Sequence, residues 1–540
     1  MKKLPIQKVG RSFFVKSLAL FLIWPLLLGC AGTAGEMQES TGRIYDNDGV
    51  YSAEDAKIHV LYLTVSEGGS IPFREVTGSD RVAEKKPSYG MTLLDETAKE
   101  KGEAPLSGQL QIKGNASYIG EYRSFKLSLT GEGRYRGQRV FLLYKCPEDP
   151  VKITMKLGMD LFSLYDDVVS IQTEFVRLYL KDNPEGEYQD YGLYTMAENP
   201  GSRFLRNHGL DRNGMLVEVK DFDFSYDRYQ GASETERREM LEIKNGQEPE
   251  KLEMLLEALA EAKTPEAFER FFTRFFNEEN YLTFLAGSLL MGNQRIALRD
   301  FLLYSPTDED RWYFFPMPTD RLFLEETEAR RSTPPDSFFG IGLLMGSELH
   351  GRYFASEKNR AKLLEKSEHL MAVLDRERLG RILEQDKSVL ADFLQRGPDR
   401  KTLKFSPEDT EERINGVYQT MEKNLRLMRD NLSLPLPFHL AEPVRIEKGY
   451  RLSWHPAYST EDVTYHVEIA REMNRETLLF RGATAETQIE IEEVLTGDLY
   501  LFVTAENRQG TQPANCFTRD GDTVQWGTAR FVFTELEGEE

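Results

Sequence analysis

The sequence predicts an α+β protein that ends in a separate all-β sandwich. Three observations lead there. Short runs such as "KIHVLYLTV" (57–65) alternate apolar and polar residues through the first half, the period of a strand with one buried face. The middle changes to apolar residues at i, i+3, i+4 and i+7, from "KLEMLLEALAEA" to "NYLTFLAGSLLMGN", the stripe of amphipathic helices. After the proline-rich "SLPLPFHLAEP" (433–443), only short strand-like runs follow.

The 540 residues are enough for two or three domains with cores of their own. Residues 1–30 read as a targeting segment and stand outside the fold. Lys2, Lys3, Lys8, Arg11 and Lys16 supply its positive region, and "SLALFLIWPLLLG" is an apolar stretch too short for a comfortable membrane span. The closing "LLGC" resembles a bacterial lipobox, which implies cleavage behind Gly29 and a lipid on Cys30. An ordinary secretory signal with a chance cysteine is the alternative. A diacylated cysteine anchors stably, so the expected location is the cell envelope, membrane-anchored and facing the extracytoplasmic side. Residues 31–56, rich in small polar types, read as a tether.

Residues 57–432 form the first domain in this reading. "GQLQIKGNASYIGEYRSFKLSLTGEG" gives two strands around a Gly-Asn turn, and "FVRLYL" and "YGLYTMAE" flank the hairpin turn "KDNPEGEYQD". In the helical stretch Thr264-Pro265 restarts a helix, with threonine as N-cap and proline at the first position. The phenylalanines of 268–276 read as core. A hairpin, "FLLYSPTDEDRWYFFP", interrupts the helices, which resume over 355–430. Strands followed by helices are an α+β order. Three prolines make 433–443 a stiff linker.

Residues 444–540 supply short strands with turns between them, the pattern of an immunoglobulin-like sandwich. "RLSW…TYHVEIA…LYLFVTAENRQG" resembles fibronectin type III, with Trp454 at the place of its buried tryptophan. The family's corner tyrosine falls on Leu499, with Tyr500 one step off. Such a module implies a spacer or an interaction surface.

Composition narrows the function. Hydrophobic content of 40% with 29% charged residues is that of soluble globular protein. A net charge of −21 argues against nucleic acid as a partner. Cys146 and Cys516, far apart, exclude a disulfide framework or a CxxC zinc site. The seven histidines form no HExxH or HxH pair, and neither GxSxG nor a Walker loop is present.

Four segments in order resemble the CotH (spore coat protein H) kinase family: "LQIKGNASYIGEYRSFKLSL", "YLKDNPEGEYQDYGLYTMAENPGSRFL", "LLMGNQRIALRDFLLY" and "WYFFPMPTDRLF". The resemblance spans about 57–430. It implies an atypical protein-kinase-like, two-lobed fold that uses ATP with Mg²⁺ or Mn²⁺ to phosphorylate secreted or surface proteins. Phosphoryl transfer is mostly positioning and charge neutralisation. The family pattern supplies an Asp as base, an Asn five residues later for metal, and a second Asp after a hairpin.

In this chain Asn293 keeps the family Asn, but the catalytic Asp position holds Arg295 and the metal-binding Asn position holds Asp300. The first Asp of the second motif falls on Pro318, and the later one survives as Asp320. The resemblance implies Arg123, Lys126 and Glu198 as nucleotide contacts; the alternatives are a solvated strand residue for Lys126 and a bond to the linker between lobes for Glu198. Asp300 and Asp320 are read either as a displaced metal pair or as a strand opening and a local ion pair with Arg321. An arginine cannot accept a proton at neutral pH, and proline offers no ligand. Three readings follow: a lipid-anchored pseudokinase binding or scaffolding an envelope or secreted partner, an active divergent kinase, and a structural or adhesion protein gripping polysaccharide or envelope partners.

Overall fold

The computed structural model describes residues 57–533, apart from 67, 69–70, 77–86, 114–122, 147–148, 150, 247–248, 324–334, 493–494 and 522. The targeting segment with Cys30, the tether, the Gly114-Asn115 turn and Tyr122 lie outside the described residues.

Seven strands close into a barrel in the order β1-β2-β3-β4-β5-β7-β6. They are β1 (Ile58–Val65), β2 (Ser88–Asp95), β3 (Leu106–Lys113), β4 (Ser124–Leu129), β5 (Val140–Tyr144), β6 (Thr173–Lys181) and β7 (Gln189–Glu198). Closure comes from β1 pairing β6 in parallel, Ile58 opposite Phe175. Alternation sets the interior: Phe125, Leu127 and Leu129 of β4 point into the barrel core, and Lys126 and Ser128 between them do not. On β5 both faces are covered. Phe141 and Leu143 fill the barrel, while Leu142 packs into the neighbouring helical core.

That second core belongs to a helical body around a four-stranded sheet, β11-β10-β8-β9. Its strands are β8 (Met215–Val219), β9 (Leu241–Asn245), β10 (Phe301–Ser305) and β11 (Tyr313–Pro316). Thr264 caps helix Pro265–Phe275, accepting from the Ala267 N–H at 3.2 Å, and Phe268, Phe271, Phe272 and Phe275 form its buried stripe. Helix Glu278–Leu290 is buried at every position from Asn280 onward. The Asn280 side chain donates to the carbonyls of Asp167 and Phe314 and accepts from the Phe314 N–H. This polar fastening in an apolar setting fixes the helix against β11, and thereby fixes where its C-terminal loop emerges.

Barrel and body are locked by a buried ion pair. The Lys145 ammonium, after β5, donates to Asp399 at 2.7 Å and to the carbonyls of Tyr191 and Leu193. Asp399 also accepts from the Leu193 N–H. Gly192 (φ +75°) makes room, since a Cβ there would lie 2.0 Å from an Asp399 oxygen.

The C-terminal part has a three-stranded sheet, β12-β13-β16, and a larger one, β15-β14-β17-β18, with β21 also on β17. These are β12 (Val444–Ile446), β13 (Gly449–Ser453), β14 (Thr464–Ala470), β15 (Leu478–Thr484), β16 (Gln488–Ile491), β17 (Gly497–Asn507), β18 (Gly510–Pro513) and β21 (Thr528–Phe533), and a small hairpin, β19 (Phe517–Asp520) and β20 (Thr523–Trp526), lies between the last two. Leu452 and Trp454 share one core with Val467, Leu501 and Val503 of the larger sheet. The proline-rich segment takes part in the packing. Phe438 enters that core and Leu436 enters the core of the helical body. Among the described residues no helix is long and apolar enough to cross a membrane.

Candidate functional site

Two loops of the helical body stand side by side. The first leaves helix Glu278–Leu290 through Gly292, whose φ of +78° is the left-handed value glycine adopts freely. Asn293 is buried; its N–H donates to Ser288 O and its Oδ1 accepts from the Arg295 N–H at 3.0 Å. A side chain that accepts two residues on shapes the loop locally. The second loop follows β11. Because β10 and β11 form a hairpin with Phe301 opposite Pro316, both loops emerge at the same end. The Met317 N–H bonds Asp300 O at 3.1 Å, and the Phe323 N–H bonds Met291 O at 2.8 Å.

Arg295 bridges the loops. Its Nη2 lies 2.6 Å from Asp300 Oδ2 and donates to Thr319 Oγ1 at 3.3 Å. Asp300 has φ +70°, a conformation most side chains avoid. Burial raises its carboxyl pKa more than Arg295 and Arg299 lower it, and the charge of Asp320 adds to the rise. Asp320 forms no ion pair or hydrogen bond among the described residues. Its field reaches the segment after β5, where it helps raise the Cys146 thiol and the Asp149 carboxyl.

That segment was not singled out by its sequence. Asp149 is buried and accepts from the N–H groups of Val151, Lys152 and Thr154 and from the Thr154 hydroxyl. Burial still pushes its pKa up to about 6. Lys152, at φ +62°, donates to Cys146 O at 3.3 Å, and burial lowers its pKa. The one available signal was an acid a few residues ahead of the helix start in "CPEDPVKIT". Burial raises both thiols, Cys516 to about 12, so neither is a thiolate nucleophile at neutral pH.

The other sequence-derived positions have different surroundings. Arg123 donates to Phe73 O at 3.3 Å, and burial lowers its pKa. Lys126 is half-buried on the outer face of the barrel, its register neighbour being Leu142. Glu198 is buried against His208, with Oε2 2.7 Å from Nε2. The structure therefore brings together Arg295, Asp300, Thr319 and Asp320, while Glu198 is committed to a partner of its own.

Nucleotide-bound Mg²⁺ or Mn²⁺ calls for hard oxygen donors. Asp300 is paired with Arg295, and both Asp149 oxygens are committed to N–H and hydroxyl donors. Asp320 is then the single uncommitted carboxylate of the set. Among the described residues no group of three or more His, Cys, Asp or Glu stands where it could hold an ion. These donors do not fit a pair of bridging cations.

The barrel, the helical body and the tied loops define a mixed α/β protein whose charged loop pair lies within electrostatic reach of the segment after β5. The chain belongs to the CotH kinase protein family, whose model matches residues 110–431, well over half of its length. No curated protein matches it.

Proposed function

We propose that the chain is a lipid-anchored envelope member of the family whose kinase-like domain binds without transferring phosphate and serves as a binding or scaffolding module. The barrel and the helical body are its counterparts of the two kinase lobes. One observation supports this reading above all: the Arg295–Asp300 ion pair at 2.6 Å, where the family pattern has a base and a metal ligand. A guanidinium takes no proton from an acceptor hydroxyl, and it occupies the carboxylate beside it. General-base assistance is worth ~10²–10⁴-fold, and a metal's charge neutralisation is lost with it. A guanidinium can still hold nucleotide phosphates without metal.

The test is nucleotide binding with and without Mg²⁺ or Mn²⁺, followed by labelled-phosphate transfer to the chain itself and to generic acceptors. Binding that is indifferent to metal, with no transfer, is expected. The variant Arg295→Asp/Asp300→Asn/Pro318→Asp should then gain metal dependence. A second reading, an active divergent kinase, is favoured by the uncommitted Asp320 carboxylate. Metal-dependent transfer by the unmodified chain, abolished in Asp320→Ala, would establish it in place of the first. Anchoring rests on the "LLGC" signal; Cys30→Ala should move the protein from the membrane to the soluble fraction, and an unchanged distribution rules the anchor out.

A further inference from the structure

Arginines gather on a face that neither the Arg295 loop nor the Pro318–Asp320 loop lines. A cavity of about 350 Å³ opens beside the end of β7, walled by Arg139, Arg203, Arg206 and Arg212. A second, of about 330 Å³, shares Ser202 and Arg212 with it and adds Lys251. The chain holds 89 acidic against 68 basic side chains, so carboxylate partners are plentiful. Two of these guanidinium groups nevertheless rest on carbonyls. Arg139 donates to Leu129 O at 3.0 Å and Arg203 to Gly137 O at 3.3 Å. Arg206 and Arg212 have no carboxylate partner among the described residues. Glu198, the acid in the wall, is turned to His208 at 2.7 Å. Burial and the charges of Arg134, Arg206 and Arg139 together hold the Arg203 pKa below the usual arginine value. Like charges so arranged repel one another, and a bound anion relieves that repulsion.

We propose that the joined cavities bind a small anion bearing two or more phosphate groups. Guanidinium forks match phosphate oxygens two at a time. The Arg139–Arg203–Arg206 end takes one phosphate and the Arg212–Lys251 end takes the next. The site is independent of the Arg295 loops and of the pseudokinase reading.

Calorimetric titration of the full chain with inorganic pyrophosphate, at low and at high salt, tests it. Saturable binding that weakens with salt is expected. Arg203→Gln/Arg206→Gln should lower the affinity about tenfold or more, and the lysine pair at these positions should retain part of it. Arg212 is exposed, so Arg212→Gln supplies a variant whose fold is not at risk, with a smaller loss expected. Orthophosphate should bind more weakly, and ADP at least as well as pyrophosphate if the phosphates alone are read. Absence of saturable binding at millimolar pyrophosphate overturns the proposal. So does equal binding by the glutamine variants, or a loss seen only in Arg295→Ala.

Discussion

Arg295 and Asp300 set the local balance of charge, and each is costly without the other. Their side chains are 36% and 18% exposed, between a surface pair worth ~0–1 kcal/mol and a buried pair costing ~3–5 kcal/mol when broken. Arg295→Ala should therefore destabilise the protein by about 1–3 kcal/mol in urea unfolding, and adding Asp300→Asn should restore most of that. Asp300 has a raised carboxyl pKa in the fold. A group of this kind contributes most below the ordinary carboxylate pKa, and its contribution is lost as pH rises through the folded value. Removing Arg295 raises that value further, so the deficit of Arg295→Ala should be larger at pH 8 than at pH 4. Equal deficits at both would mean that the pair carries no net charge coupling.

The segment between β5 and helix Thr154–Ser163 is held by one carboxylate. Asp149 satisfies three N–H groups and one hydroxyl at the helix entrance. Asp149→Ala should cost about 2–4 kcal/mol by urea unfolding, with proteolysis appearing first near 146–154; a loss below ~0.5 kcal/mol would mean that water replaces the carboxylate. Sequence period reveals some elements and hides others for identifiable reasons. The strand at 57–65 was legible from its alternation, the hairpin of β6 and β7 from its Asn-Pro and Gly turn, and the Thr264 cap from the Thr-Pro pair. β5 was not, since Leu142 faces one core and Phe141 and Leu143 the other, which removes alternation. Barrel closure pairs Ile58 with Phe175, a contact no local pattern encodes. In the site, the five-residue spacing of Arg295 and Asp300 was readable, whereas Asp149 and Lys152 act from irregular backbone that carries no motif.

At the scale of the whole molecule, the proline-rich segment joins parts that share side chains. Phe438 belongs to the C-terminal core, and Leu440 bridges Trp454. A fragment of residues 434–540 should unfold cooperatively with a β-type circular dichroism spectrum. One of 444–540 should be less stable by about 3–5 kcal/mol, the usual cost of losing a buried phenylalanine; equal midpoints would show that Phe438 packs without stabilising. The Lys145–Asp399 lock has a consequence in time. The two residues are 254 positions apart. At the usual ~5–20 residues per second of synthesis, Asp399 is made roughly 13–50 s after Lys145. Throughout that interval a lysine destined for burial has no counterion, so the first-made strands can reach their final arrangement only when nearly the last helices have arrived.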